Sequence, residues 1–181
     1  MLARRCSRNT GGFIQLRVEP VWVETPSCSK ARFTGADQSR SDKLGLEGKV
    51  TEDEIRRIAI DWIRFNTAER NSQEQFDTAW ATTKTLDLLL DGQYEDLWSL
   101  ILVIHSLDQS DKIKGMLSAG PVEDLLGQSG ERFIGRIEEK AKSDPGFARV
   151  LGGVWRNDMS EDVWARVQAV WDRRGWDGVT E

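Results

Sequence analysis

From Val50 onward, apolar side chains recur every three or four residues, the spacing that places them on one face of an α-helix. The first such stripe consists of Ile55, Ile58, Ala59, Trp62 and Ile63. Thr51 and Glu54 lie directly ahead of it in the pattern of a capping box, in which each side chain bonds a free amide of the first turn. A helix is therefore predicted to begin at Thr51.

Ser72 and Gln75 repeat this capping pattern before a second apolar stripe. Its members are Phe76, Ala79, Trp80, Thr83 and Leu90. Asp91-Gly92 follows, and glycine is the usual residue just past the end of a helix. The pattern predicts one second helix with this stripe facing the core.

The segment from Tyr94 to Leu107 has almost no polar face. Its apolar residues are Leu97, Trp98, Leu100, Ile101, Leu102, Val103 and Ile104. A helix that is apolar all round is buried on all sides. This third helix is therefore predicted to be the centre of the fold.

Shorter helices are predicted in the second half of the chain. One helix runs from Ser110 to Ser118. Ala119-Gly120-Pro121 is predicted to end this helix and to begin the next one at once, because proline is suited to a first helical position. The next helix carries Leu125 and Leu126 and is predicted to break between Gly127 and Gly130. Further helices are predicted after Gly130, at Asp144-Pro145 and at Ser160.

These elements predict an all-α fold of seven to eight short antiparallel helices. The connecting loops are short, which favours a compact bundle, with a short stack of helical hairpins as the alternative. Residues 50–181 are predicted to form this domain. No segment after Val50 has the alternation of a strand.

Residues 1–49 differ in composition from the helical part of the chain. They are predicted to be a basic, largely disordered tail or a miscalled start. Apolar and polar residues alternate around Ile14 and Val18, but a lone strand interrupted by Pro20 has no ladder partner. The stretch from Thr25 to Gly48 has almost no large apolar side chains and is predicted to be a linker.

The two parts also differ in charge. Residues 1–49 carry nine Lys or Arg against five Asp or Glu, and the remainder carries sixteen against twenty-five. An acidic domain does not attract nucleic acid or anionic lipid. No apolar run is long enough to span a membrane, and Cys6 and Cys28 cannot form a zinc site. We expect a cytoplasmic protein without a metal, a cofactor, a nucleic-acid partner or a membrane partner.

Few residues offer catalytic chemistry. The only histidine, His105, lies on the apolar third helix, and Asp108 or Gln109 could orient it as a base. A buried histidine satisfied by a neighbour is the commoner case. The chain contains no serine elbow, no phosphate-binding glycine loop and no paired histidines on a helix. The sequence therefore lacks the residues that most known types of enzyme active site require.

Glu123 and Asp124 are the candidate carboxylate pair. They follow Pro121 in the first turn of a helix, where the helix dipole already explains two acidic residues. Trp176 is the other candidate binding residue, since it lies apart from the helical stripes near the C-terminus. A clamp on the last helix is the preferred role for it.

Tryptophan is frequent in the helical part. Seven of the eight tryptophans follow Val50, and core packing is predicted for most of them. Trp80, Trp98 and Trp155 are assigned to the structural framework on this basis, together with Gly120, Pro121, Leu125 and Leu126.

The run Ala119-Gly120-Pro121-Val122-Glu123-Asp124-Leu125-Leu126 resembles the signature Ala-Gly-Pro-Leu-Glu-x-Leu-Leu of a bacterial family, domain of unknown function 6869. The resemblance covers about residues 76–155 and includes Asp144-Pro145-Gly146-Phe147. It implies a helical bacterial domain and no activity. Two departures are Gln93-Tyr94, where the family often has proline, and Ser129, where it often has histidine.

Three functional hypotheses remain. The first is a protein-interaction module, including the immunity and antitoxin types, that binds a partner with a basic surface. The alternative is an enzyme or small-ligand protein that uses Glu123 and Asp124. The third is a regulatory or scaffold domain. The oligomeric state is left open by the sequence.

Overall fold

A computed structural model describes residues 50–176 of the chain, and these residues form helices and loops without a strand. The helices are α1 (Glu52–Thr67), α2 (Gln73–Thr78), α3 (Trp80–Leu90), α4 (Tyr94–Leu107), α5 (Asp111–Leu117), α6 (Glu123–Ser143), α7 (Pro145–Gly152) and α8 (Glu161–Val170). The predicted all-α class is confirmed. Six of these helices have eight or more residues, fewer than the predicted seven to eight, because α2 and α5 are only one to two turns long. The predictions for residues 1–49 lie outside the described residues.

Most helices begin where the sequence places a cap. In each case a side-chain oxygen accepts a hydrogen bond from the backbone amide three residues ahead. The caps are Thr51, Ser72, Ser110, Asp144 and Ser160. Each cap satisfies an amide that has no acceptor within its own helix, so these helix starts are determined locally.

Helix α4 lies at the centre of the fold, as predicted, and packs against α1, α3, α5 and α6. Its buried residues include Leu97, Trp98, Leu100, Ile101, Ile104 and His105. The indole of Trp98 meets Phe147 edge to face, with ring centroids 5.8 Å apart, and Phe133 at 6.3 Å. One side of the helix, at Ser99, Leu102 and Val103, is less buried than the rest.

Helices that are distant in the chain pack together. Helix α1 contacts α4 and α5 as well as α2 and α3, and α6 contacts both α4 and α8. In a linear stack each hairpin contacts only its neighbours along the chain. These long-range contacts match the compact bundle rather than the stack of hairpins. Within the described residues, no helix has the length and apolar character needed to cross a membrane.

The predicted second helix is wrong in two respects. Helix α2 ends at Thr78 and α3 begins at Trp80, with Ala79 between them. The expected stripe does not face the core either, since Phe76, Trp80 and Leu90 are exposed. The buried positions are instead Thr78, Ala81, Thr85 and Leu88.

Threonine explains this error. The hydroxyls of Thr78 and Thr85 donate to the carbonyls of Glu74 and Ala81, one turn earlier. A hydroxyl that is satisfied within its own helix is buried at little cost, so a small polar residue takes a core position. The larger apolar residues of the segment then lie on the opposite side.

The predicted stop and start at Ala119-Gly120-Pro121 is present as a kink between α5 and α6. Residues Ser118–Val122 form a π-helical turn that joins α5 to α6, and Gly120 departs from helical geometry within it. We call this segment the π turn. Pro121 is buried there, as are Leu125 and Leu126 at the start of α6.

The predicted break between Gly127 and Gly130 is present as a kink within α6, whose 21 residues include both helical parts. Only Ser129 departs from helical geometry, with φ −143° and ψ 28°. A Cβ at Gly130 would lie 2.9 Å from Cγ1 of Val163. This glycine, which follows the kink directly, therefore also allows the close approach of α6 and α8.

The segment after α8 returns across α7. The backbone amide of Asp172 donates to the carbonyl of Ala148 at 2.8 Å, and the indole Nε1 of Trp176 donates to the carbonyl of Arg149 at 2.7 Å. A Cβ at Gly152 would lie 2.0 Å from the carbonyl oxygen of Asp172. Only glycine leaves room for this segment, which we call the C-terminal clamp.

Candidate functional site

His105 is 2% exposed on α4, and its partner is Asp144 rather than Asp108. Its Nε2 lies 3.0 Å from Oδ2 of Asp144. The preferred interpretation, a buried histidine satisfied by a neighbouring side chain, matches these contacts, and the alternative in which Asp108 holds the imidazole as a base does not. Asp108 has extended backbone angles at the end of α4, and its carboxylate accepts the amide of Ser110 instead.

Asp144 connects three groups at the junction of α6 and α7. Its Oδ1 accepts the amide of Phe147, while Oδ2 accepts both His105 and Lys140 Nζ, the latter at 2.9 Å. Burial by itself would raise the pKa of this carboxyl. The hydrogen bonds from Lys140 and His105 outweigh that effect and hold the pKa of Asp144 well below its usual range.

The surroundings of His105 are closed. The ring meets Phe147 edge to face at 5.4 Å, and a Cβ at Gly146 would lie 3.3 Å from Cε1 of the imidazole. The other ring nitrogen, Nδ1, is buried without a hydrogen-bond partner. A general base must reach its substrate. The contacts of His105 and Asp144 instead join α4 to the α6–α7 junction.

We expect Asp144→Asn to make stability less dependent on pH in the acidic range. A carboxyl whose pKa is lower in the folded chain than in the unfolded chain stabilises the fold when it is ionised. That contribution is present above about pH 4 and is lost as the pH falls further. The wild-type melting temperature, followed by circular dichroism, should therefore decline more steeply below about pH 4 than that of the variant.

Asp111→Asn is the matched control, because its side chain is almost fully exposed and contacts only Lys114 at 3.6 Å. This control should follow the wild-type curve. Parallel curves for the wild type and Asp144→Asn would show that Asp144 does not cause the acid sensitivity.

Glu123 fixes the loop between α7 and α8. Its Oε2 accepts the backbone amide of Trp155 at 3.0 Å, and its Oε1 accepts the side-chain amide of Asn157. Both carboxylate oxygens are therefore used within the fold. Glu123 thereby anchors the backbone of the loop at Trp155, whose side chain is exposed.

Asp124 follows Glu123 on α6, but its side chain lies on a different surface, because consecutive helical residues are about 100° apart. It lies beside Trp62 and Leu86 of α1 and α3. Much of the residue is exposed, yet the partial burial of its carboxyl raises the pKa of Asp124. Glu123 and Asp124 thus contact different parts of the fold.

The groove that contains Asp124 has a largely apolar lining, and we call it the leucine groove. Its volume is about 280 Å³, and its defining residues are Trp62, Leu86, Leu89, Met116, Pro121 and Asp124. Leu86 is 50% exposed and Met116 is 47% exposed at its edge. Ala119 and Gly120 of the π turn also line it.

A second groove lies on the other side of Ala119. Its volume is about 390 Å³, within the range of small-molecule sites. We call it the tryptophan groove, and its defining residues are Ser118, Ala119, Gly152, Gly153, Trp155, Arg156, Trp164, Arg173 and Trp176. The π turn therefore separates two grooves, and π-helical turns are often found at functional sites.

Trp176 belongs to both the clamp and the tryptophan groove. The predicted clamp role fits its contacts, but it fastens the chain to α7 rather than to the last helix. Its ring lies against Gly153, where a Cβ would be 2.5 Å from Cη2. One face of the ring is thus held by the fold, and the side chain remains partly exposed in the groove.

Trp155 is 72% exposed, so its predicted place in the structural framework does not extend to the core. Trp98 is buried as predicted, and Trp164 is half-buried. Gly152-Gly153 ahead of Trp155 was the sequence signal for a loop. Helical spacing alone does not distinguish a core tryptophan from one that lines a groove.

Ser129, the position at which the resembling family often has histidine, lies in a third groove of about 410 Å³. Gln128, Asp158 and Ser160 line the same groove. In residues 50–176 no group of three or more His, Cys, Asp or Glu side chains could hold a metal ion.

Comparisons with known proteins support the resemblance found in the sequence. Searches of the curated proteins and of the solved structures found no match. A family model, described as a family of unknown function (DUF6869), matches residues 68–175, which include the π turn and most of the lining of the two grooves beside it, though not Trp62 or Trp176. Because this match covers more than half of the chain, the protein belongs to the family of unknown function DUF6869.

Proposed function

We propose that the helical domain is a protein-interaction module that docks a basic, amphipathic helix of a partner protein in the leucine groove. The exposure of Leu86 and Met116 beside Asp124 is the observation that carries this proposal. Apolar side chains grouped around a groove and bordered by polar residues are typical of sites that bind protein. An amphipathic helix fills such a groove with its apolar face.

The charge of the domain favours a basic partner. Residues 50–181 carry sixteen Lys or Arg against twenty-five Asp or Glu, so they attract cationic surfaces at long range. Asp124 adds a local contact, since burial already disfavours its charge and a lysine or arginine of the partner would compensate for it.

The alternative function uses Glu123 and Asp124 together as a carboxylate site. Both oxygens of Glu123 already accept hydrogen bonds from the α7–α8 loop. Such a site would therefore depend on Asp124 alone. A paired acid and base at these two positions is less well supported than a docking surface.

We expect the full-length protein, immobilised and exposed to extract of its source cells, to retain a basic protein at about 0.1 M salt. Retention should fall at about 1 M salt, because the Debye length shortens from about 10 Å to about 3 Å. Asp124→Asn and Leu86→Asn should each weaken retention of the same protein. Quantitative mass spectrometry of the eluates measures both effects.

Two matched controls lie outside the leucine groove. Asp111→Asn removes an exposed negative charge, and Leu90→Asn replaces a leucine that is exposed on the same helix as Leu86. Both should retain the partner at the wild-type level. Equal retention by the groove variants and the controls would contradict the proposal, and loss of a small-molecule activity in Asp124→Asn would favour the carboxylate site.

A further inference from the structure

The tryptophan groove differs from the leucine groove in the origin of its walls. Three separate segments each contribute one indole: Trp155 from the α7–α8 loop, Trp164 from α8 and Trp176 from the C-terminal clamp. Trp164 is held by an edge-to-face contact with Trp171 at 5.3 Å. Three positioned aromatic rings provide flat apolar surfaces against which another ring can stack.

The rings are held before any ligand arrives. Glu123 accepts the backbone amide of Trp155, and the indole Nε1 of Trp176 donates to the carbonyl of Arg149. A site with ordered side chains loses less conformational entropy on binding.

The floor of the groove is made of small residues. Gly152 at the end of α7 and Gly153 just after it line the groove together with Ser118 and Ala119 of the π turn. These positions carry no side chain larger than a hydroxymethyl group. The space next to the two glycines is occupied by the carbonyl of Asp172 and the ring of Trp176, and the groove that remains has a volume of about 390 Å³, which is suited to a small planar molecule.

The charged residues of the groove are basic, although the domain as a whole is acidic. Arg156 and Arg173 line it, and none of its lining residues is acidic. Arg156 pairs with Glu161, whose side chain is 81% exposed. Exposed ion pairs contribute at most about 1 kcal/mol, so a ligand carboxylate can replace Glu161 as the partner of Arg156.

From these features we propose that the tryptophan groove binds a small planar aromatic carboxylate, with its ring against the indoles of Trp155 and Trp176 and its carboxylate at Arg156. Aromatic cages also bind cations, but two arginines in the lining oppose a cationic ligand. Binding therefore requires both the aromatic ring and the negative charge of the ligand. This site is separate from the leucine groove and does not depend on the function proposed above.

Indole acetate and tryptamine test the proposal, because they carry the same ring with opposite charges. Titration of the full-length protein is followed by calorimetry and by the NMR signals of the tryptophan indole N–H groups. We expect indole acetate to bind saturably and to shift the signals of Trp155, Trp164 and Trp176. Tryptamine should bind about tenfold more weakly, the ratio that about 1.4 kcal/mol produces.

Trp155→Ala and Arg156→Gln separate the two requirements. Trp155→Ala removes a stacking ring and should weaken the binding of indole acetate about tenfold, because the ring no longer stacks against the ligand. Arg156→Gln should reduce the preference for indole acetate over tryptamine. The controls are Trp80→Ala and Arg132→Gln, which alter an exposed tryptophan and an exposed arginine outside the groove. Neither control should change the affinity for indole acetate or the preference for it over tryptamine.

Three results would overturn the proposal: no saturable binding of indole acetate, equal affinity for tryptamine, or an unchanged affinity in Trp155→Ala. The folding of each variant is checked by its melting curve before titration. Because neither probe enters the retention experiment, failure here leaves the leucine-groove proposal to be judged on its own result.

Discussion

Trp98→Ala is expected to lower the free energy of unfolding by about 3 to 5 kcal/mol. The side chain is 4% exposed at the centre of α4 and contacts both Phe133 and Phe147. Its removal leaves a cavity between helices that meet at this ring. Small domains have only about 5 to 15 kcal/mol of stability, so the variant should be largely unfolded or insoluble at physiological temperature.

Trp155→Ala is the matched control for this loss. The same substitution at a side chain that is 72% exposed removes little buried surface and should change stability by less than about 0.5 kcal/mol. Urea unfolding followed by circular dichroism measures both variants. Similar midpoints for the two proteins would show that α4 is not the central helix.

Gly152→Ala should destabilise the protein by about 1 to 3 kcal/mol through overpacking. The new methyl group would lie 2.0 Å from the carbonyl oxygen of Asp172 and 2.8 Å from Cδ1 of Trp176. The first of these atoms belongs to the backbone, so a rotamer change cannot relieve the clash. We expect the C-terminal clamp to leave α7, with red-shifted tryptophan emission and faster proteolysis after Trp171.

Gly135→Ala provides the opposite control within α6. The nearest atom to its new methyl group would be Nη2 of Arg166, at 4.0 Å on a flexible side chain. Alanine is a better helix former than glycine, so this variant should gain about 0.5 to 1 kcal/mol. If Gly152→Ala also melts at or above the wild-type temperature, the clamp does not pack as described.

The tryptophan groove and the C-terminal clamp depend on one another. Trp176 fastens the clamp to α7 and also forms a wall of the tryptophan groove. Gly152→Ala should therefore weaken the binding of indole acetate as well as lower stability. The π turn lies between both grooves, which explains how a single stretch of sequence supports two surfaces.

Local chemistry made several features predictable from the sequence alone. The caps Thr51, Ser72 and Ser160 bond amides three residues ahead, so the sequence around each position contains all that the helix start needs. The central place of α4 was also predictable, because most of its surface is apolar, although its side at Ser99 remains exposed. The family resemblance rested on contiguous residues in the same way.

Tertiary contacts decided the rest, because burial and pairing depend on residues far away in the chain. Asp144 was identified as a cap, but its bond to His105, 39 residues earlier, required the packing of α4 against the α6–α7 junction. The positions of Thr85 in the core and Trp155 at the surface reverse what their hydrophobicity indicates. Periodicity describes which residues share a helix face, and only the neighbouring helices determine whether that face is covered.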